Sequence, residues 1–146
     1  MSRVYRNEGI EIDVDGAYRA EGEIGYGLVI RRDGNGIYLE GGIVPKTDSG
    51  LHLHRQVGGE IYAVVQALRW CYRHKVETCT IYYDYVGLAH WAEGRWRART
   101  PLTQRYVNFL QRLPIIIKWV KVPAHAGWHW NELADALARG DWRSLG

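Results

Sequence analysis

Four acidic residues stand where carboxylates could be brought together. Asp15 closes the alternating stretch Ile10-Glu11-Ile12-Asp13-Val14-Asp15-Gly16, Glu60 follows Gly58-Gly59, Asp84 follows Ile81-Tyr82-Tyr83, and Asp135 ends the run Ala124-His125-Ala126-Gly127-Trp128-His129-Trp130-Asn131-Glu132-Leu133-Ala134-Asp135. A carboxylate at the carboxyl end of a strand sits where open α/β sheets place their ligands. Acids crowded together repel, and a divalent cation that prefers oxygen ligands makes the crowding tolerable. Each residue also has a plainer reading on its own. Glu60 could be stabilised by a helix N-terminus. Asp84 and Asp15-Gly16 could be strand-end turns. Asp135 could be a solvated position on an amphipathic helix.

The elements that must position these acids can be read from periodicity. Ile10, Ile12 and Val14 alternate with Glu11, Asp13 and Asp15, which predicts a first strand ending in a turn at Asp15-Gly16. Strands follow at about Ile24–Arg31 and Ile37–Val44, joined by the hairpin signal Asp33-Gly34-Asn35-Gly36. Pro45 to Val57 reads as a loop. A helix is expected from Gly58-Gly59 to about His74, with Ile61, Val64, Val65, Leu68 and Tyr72 as its core-facing stripe. A strand over Thr80–Tyr83 and a short helix over Val86–Glu93 follow. The next helix has Pro101 in its first turn and is stopped by Pro114. Ile115 to Val122 reads as a strand covered on both faces. The last helix, Trp130–Arg139, ends at Gly140. The order βββαβααβα implies an α/β fold with a five-stranded mixed sheet. A right-handed crossover would set the fourth strand parallel to the first and bring Asp15 and Asp84 together.

The 146 residues suggest one domain. No apolar run approaches the length of about 18 residues that a membrane span requires, and no membrane partner is expected. The first eight residues lack the apolar core of a signal peptide, and a cytoplasmic location is expected. Cys71 and Cys79 read as two buried free thiols rather than a framework or a zinc site. The formal charge is only +3, so the distribution of cations matters more than their sum. Fifteen of the 19 basic residues are arginine, which favours planar phosphate contacts. Arg95, Arg97, Arg99 and Arg105 are interleaved with Trp91 and Trp96, a pattern that suits a nucleic-acid backbone.

In order and on these elements, "DG" ending the first strand, "GGE" opening the first helix, "YYD" ending the fourth strand and "AHAGWHWNELAD" at the last helix resemble type 1 ribonuclease H over nearly the whole chain. The stretches "IYYDYVGLAHWAEGRW" and "PLTQRY" are most similar to bacterial members often fused to a viroplasmin-like hybrid-binding module. No such module is expected here, since the catalytic domain starts by about Ile10 and residues 1–9 and 141–146 read as tails.

The resemblance implies a ribonuclease H-like fold with helices on both faces of the sheet. It also implies endonucleolytic hydrolysis of the RNA strand of RNA/DNA hybrids, leaving 5′-phosphate and 3′-hydroxyl ends. The implied cofactor is Mg²⁺ or Mn²⁺, two ions per active site, held by Asp15, Glu60, Asp84 and Asp135. By the same resemblance, Asp15 would bridge both ions, Asp135 would complete the water-activating side, and Glu60 and Asp84 would complete the leaving-group side. His125 would carry protons, which suits a histidine near neutral pKa. Gly16, Arg55, Gln56, Trp91, Trp96, Arg97 and Asn131 are the candidate substrate contacts, although Trp91, on a short helix, could equally belong to the core. Asn131 shares a helix face with Asp135 and could instead orient its neighbours. His129 reads as an exposed helix-start residue, and the chain is expected to be monomeric.

Three departures from the family pattern concern substrate grip. The Gly/Pro-rich loop after the first strand is replaced by Ala17-Tyr18-Arg19-Ala20-Glu21-Gly22, a large Tyr85 follows Asp84, and the basic protrusion is compressed to about Glu93–Thr100. Asp13 is a fourth, because it shares the face of Asp15 at a spacing of about 6.5–7 Å. It is either a charge satisfied by a nearby Arg, His or water, or a carboxylate that supports the metal site from behind.

Overall fold

The computed structural model describes residues 9–123 and 129–141. Its strands are β1 (Ile10–Tyr18), β2 (Ile24–Arg32), β3 (Asn35–Ile43), β4 (Thr78–Tyr83) and β5 (Ile116–Lys121). Its helices are α1 (Ser49–Leu53), α2 (Arg55–Arg73), α3 (Gly87–Ala92), α4 (Pro101–Arg112) and α5 (His129–Arg139). A 3₁₀ turn, Ala20–Gly22, links β1 to β2. The sheet order is β3-β2-β1-β4-β5. β1 pairs antiparallel with β2 and parallel with β4, so the carboxyl ends of the two parallel strands lie side by side.

The two faces of β1 separate two packing layers. Ile12 and Val14 are fully buried with Leu28 and Ile30 of β2 and with Ile61, Val64 and Leu68 of α2. On the opposite face Val29 is buried with Ala134 and Leu137 of α5. Helices therefore cover both faces, and the acidic residues of β1 point toward the α5 side.

Four local expectations are corrected. β1 does not turn at Asp15-Gly16 but continues to Tyr18, with Gly16 paired to Tyr26. Gly16 is required by close approach: a β-carbon there would lie 2.1 Å from the Gln56 carbonyl oxygen and 2.5 Å from the Glu60 nitrogen. The expected loop Pro45–Val57 contains α1, whose N-terminus is capped by Asp48 accepting from the Leu51 N–H at 3.1 Å, and α2 starts at Arg55. Gly58-Gly59 looked like a helix start. It lies inside α2 because a β-carbon on Gly59 would come 2.4 Å from the Gly25 carbonyl oxygen.

Third, the stripe of α2 keeps Ile61, Val64 and Leu68 as expected but differs in its other members. Ala63, Ala67, Trp70 and Cys71 are buried, whereas Tyr72 is 60% exposed. Fourth, β5 is an edge strand and not covered on both faces. Ile117 and Trp119 pack on the core, while Ile116 is 74% exposed. Its continuous apolar run concealed an ordinary alternation.

Smaller features follow the sequence. Thr100 and Thr103 form a reciprocal cap ahead of Pro101, each side chain accepting the other's backbone N–H at 3.1 Å. Cys71 and Cys79 are both buried and unbridged, and a hydrogen bond between the thiols raises the Cys79 pKa. Among the described residues, no helix is long and apolar enough to cross a membrane.

Candidate active site

The first acid is set by the sheet. Asp15 lies near the carboxyl end of β1 and accepts the Gly16 N–H on Oδ1 at 2.9 Å. Glu60 is placed by Gly58, which lets α2 press against α1 at Leu51, and by Gly59, which lets it press against the sheet at Gly25 and Gly16, and it is only 4% exposed. Its carboxylate accepts the Asp84 N–H at 2.7 Å and the Tyr85 N–H at 3.3 Å. Glu60 thus fixes the backbone just beyond β4 and leaves the Asp84 side chain exposed. From the other face, Asp135 of α5 reaches Asp15 by a side-chain hydrogen bond. Its Oδ2 accepts from Arg139 Nε at 2.9 Å, one helical turn on.

These four carboxylates share one electrostatic neighbourhood. Burial, then the hydrogen bond and charge of Asp135, push the Asp15 carboxyl from 3.8 to about 8, against the Gly16 N–H and with a further upward push from Asp84. Burial pushes Glu60 from 4.5 to about 8; the Asp84 and Tyr85 amides oppose this, and the charges of Asp15 and Asp84 add to it. Among the described residues, no three His, Cys, Asp or Glu side chains already form a metal cage. Glu60 is turned toward backbone amides and Asp135 is shared with Arg139. The donor chemistry nevertheless fits divalent cations, being hard oxygens only, with excess negative charge that a cation relieves.

The linkage has a definite sign. The folded state keeps protons on Asp15 and Glu60 that the unfolded chain has released, so rising pH favours unfolding. In chelator, the melting temperature should therefore fall as pH rises from about 5 to about 8, and added Mg²⁺ should recover the loss at the alkaline end. Melting curves in EDTA and in Mg²⁺ would check this; a melting temperature that rises with pH in EDTA would contradict it.

The other sequence candidates are more dispersed. Gly16 is clamped under α2, as described. Arg55 is exposed, has φ +54, and holds its guanidinium 5.3 Å from the Tyr18 ring centroid. A non-glycine residue in that conformation is a strained backbone position of the kind found at functional sites. Gln56 is exposed in the first turn of α2. Asn131 is half-buried, and its Nδ2 has no hydrogen-bond partner among the described residues. His129 is exposed at the start of α5. His125 lies outside the described residues.

Trp91 packs edge-on against Tyr106 and joins the main core. Trp96 is 39% exposed and meets Tyr85 and Trp91 edge-on. The large residue after Asp84 therefore belongs to an aromatic cluster beside the acids. Arg97 and Arg99 are exposed, whereas Arg95 pairs with Glu93. Arg105 leaves the patch: it sits on α4 and pairs with Asp48 at 3.1 Å. Arg69, Arg73, Arg105 and Arg112 line a separate groove between α2 and α4 that contains none of the acids.

Two residues beside the acids were missed in the sequence. Arg139 was readable, since an acid and an arginine four apart on a helix are neighbours. Tyr18 was not, because the strand was expected to stop before it.

No family model matches the chain. A ribonuclease H from Bartonella quintana (strain Toulouse) is 30% identical over 89% of this chain and 86% of its own length. The chain belongs to the ribonuclease H family. A ribonuclease H from Afipia carboxidovorans is 28% identical over 89% of this chain and 90% of that protein. Two solved structures agree on the fold. RNase H1 from the halophilic archaeon Halobacterium salinarum NRC-1 gives a TM-score of 0.71 at 20% identity, covering 94% of this chain and 98% of that one. LC11-RNase H1 in complex with an RNA/DNA hybrid gives 0.68 at 17% identity, covering 94% and 99%. The chain is thus a ribonuclease H on the five-stranded mixed sheet expected of that family.

Proposed function

We propose that this ribonuclease H cuts the RNA strand of RNA/DNA hybrids endonucleolytically, leaving 5′-phosphate and 3′-hydroxyl ends. The observation that carries the reading is the convergence of Asp15, Glu60, Asp84 and Asp135 at the carboxyl ends of β1 and β4. These four residues would hold Mg²⁺ or Mn²⁺, two ions per site. When bound there, such ions lower the pKa of attacking water and stabilise the charge of the leaving oxygen.

The protein's own residues do the rest. Asp15 and Glu60 would hold the ions as carboxylates, with cation charge offsetting the repulsion among the acids. Glu60 keeps the Asp84 backbone in place through two amide hydrogen bonds. Arg139 restrains Asp135 on Oδ2. The exposed Arg55, Gln56, Trp96 and Arg97 provide cationic, amide and aromatic surface for the two strands. Trp91 is half-buried against the core and meets Trp96 edge-on.

His125→Ala should slow cleavage by about 10²–10⁴-fold, the usual contribution of a positioned proton carrier. The deficit should shrink in concentrated buffer base; no change at any pH would remove His125 from the mechanism. Replacing Arg95, Arg97 and Arg99 by Ala should raise KM and leave kcat unchanged. Arg95 already pairs with Glu93, so the salt slope should fall by roughly 2 rather than 3, at about one for each phosphate no longer gripped. A fall in kcat with KM and salt slope unchanged would show that the stretch does not grip.

The test of the function itself is end analysis of products from a hybrid labelled in the RNA strand, with Mg²⁺ and with EDTA. Mg²⁺-dependent internal cuts bearing 5′-phosphates are expected. Cyclic phosphates, or cleavage that persists in EDTA, would refute the metal-dependent reading.

A further inference from the structure

Behind the acids, on the α5 side of the sheet, lies a buried charge network. Asp13 is fully buried and Arg31 is 3% exposed. Arg31 donates to Asp13 Oδ1 from Nη2 at 2.6 Å and from Nε at 3.1 Å, and to Glu11 Oε1 from Nη1 at 3.0 Å. The Tyr82 hydroxyl donates to Glu11 Oε2 at 2.6 Å. The network therefore spans the three central strands, and its cation also faces two rings. The guanidinium carbon lies 5.1 Å from the Tyr82 centroid and 5.4 Å from the centroid of Trp130 on α5.

This answers the question that Asp13 raised. It has a guanidinium partner, the plainer of its two readings, and an apolar residue at each position would cover the sheet without the desolvation penalty. What the pair adds is a rigid, forked cation held at a fixed height above β2. Trp130 rests on that cation, and its ring also lies 3.4 Å from where a β-carbon on Gly36 would be. The C-terminal half of α5 is seated differently, with the Ala134 and Ala138 carbonyls pressed over Gly27 and Gly25. Asp135 stands five residues after Trp130 and between Ala134 and Ala138, on one continuous helix.

We infer that the Asp13–Arg31 pair is a positioning strut: it fixes the N-terminal turn of α5 through Trp130 and so sets Asp135 against Asp15. The inference rests on the reading of these acids as metal ligands. Asp13 and Arg31 are positioning residues and touch neither metal nor substrate. If the N-terminal turn loses its seat, Asp135 shifts and metal affinity falls while nucleic-acid contacts elsewhere persist.

The test compares wild type with the Asp13→Leu/Arg31→Leu double variant and with Trp130→Leu and Trp130→Phe. Mn²⁺ binding is read by calorimetry without nucleic acid, melting temperature in EDTA, and KM for hybrid at saturating metal. The double variant should remain folded, because apolar replacement of a buried pair is commonly neutral or stabilising and Glu11, which also loses Arg31, is one-third exposed and keeps the Tyr82 hydroxyl. It should nevertheless bind Mn²⁺ roughly 10-fold more weakly, at the lower end of the ~10–100-fold range for lost support behind a metal ligand. Its KM should be unchanged. Trp130→Leu should show the same weakening, and Trp130→Phe, which keeps a ring over the guanidinium, should not.

A stable double variant with wild-type Mn²⁺ affinity would overturn the strut. If the double variant does not fold, equal Mn²⁺ affinity in Trp130→Leu and Trp130→Phe would overturn it. Wild type binding no Mn²⁺ would bring down the metal reading and the strut together, whereas wild-type binding with insensitive variants would remove the strut alone.

Discussion

Asp15→Asn and Asp84→Asn should each reduce hybrid cleavage by far more than the ~10–100-fold that loss of an outer support costs a metal site. Each change removes a ligand charge and leaves the side-chain volume unchanged, so packing is preserved. Asp15→Asn should also stabilise the protein in EDTA at alkaline pH, because Asp15 is held near 8 by burial and by the neighbouring acids. The stability gain should vanish at acid pH, where Asp15 is protonated in wild type as well. A variant that is inactive yet more stable separates loss of chemistry from loss of fold. Near wild-type cleavage by either variant at matched protein and Mg²⁺ would defeat the four-carboxylate assignment.

Gly16→Ala should be almost as damaging, by a different route. The added methyl would meet backbone atoms at 2.1 and 2.5 Å, from Gln56 and Glu60, and no flexible side chain can yield there. Overpacking of this kind costs about 1–3 kcal/mol, occasionally more. The displaced element is the first stretch of α2, which carries Glu60. A shift of about 1 Å at a reacting centre can cost 10²-fold in rate. Lower melting temperature and at least that loss of kcat are therefore expected together, measured by thermal unfolding and steady-state cleavage. Gly16→Ala melting and cutting like wild type would show that β1 and α2 do not meet as described.

The contrast between these two variants shows what the sequence made legible. Asp15, Glu60, Asp84 and Asp135 could be recognised because "DG", "GGE", "YYD" and "AHAGWHWNELAD" follow one another in the order that resembles ribonuclease H, and the parallel pairing of β1 and β4 followed from chain order. Gly16 and Gly58-Gly59 were visible as residues but misread as punctuation, the end of a strand and the start of a helix. Their role is close approach between distant segments, and local sequence does not encode distance. The same limit hid the edge position of β5, since an apolar run is identical in the middle and at the margin of a sheet. Asp13 was noticed as an anomaly, yet its partner on β2 came only with register.

Substrate contacts were the least legible part. Arg95, Arg97, Arg99 and Arg105 are close in sequence, but the chain separates Arg105 onto α4 and pairs Arg95 with Glu93. Trp91 and Trp96 look alike in the sequence and differ in burial because only Trp91 meets Tyr106. Tyr18 became visible only once β1 was seen to pass Gly16, which sets its ring beside Arg55.

The most direct test of the central claim is parallel cleavage of an RNA/DNA hybrid, a duplex RNA and a duplex DNA of one sequence, in Mg²⁺, with Asp15→Asn alongside. The four-acid site predicts Mg²⁺-dependent cutting confined to the RNA strand of the hybrid and absent from the variant. Equal cutting of duplex DNA, or hybrid cutting that survives Asp15→Asn, would contradict it.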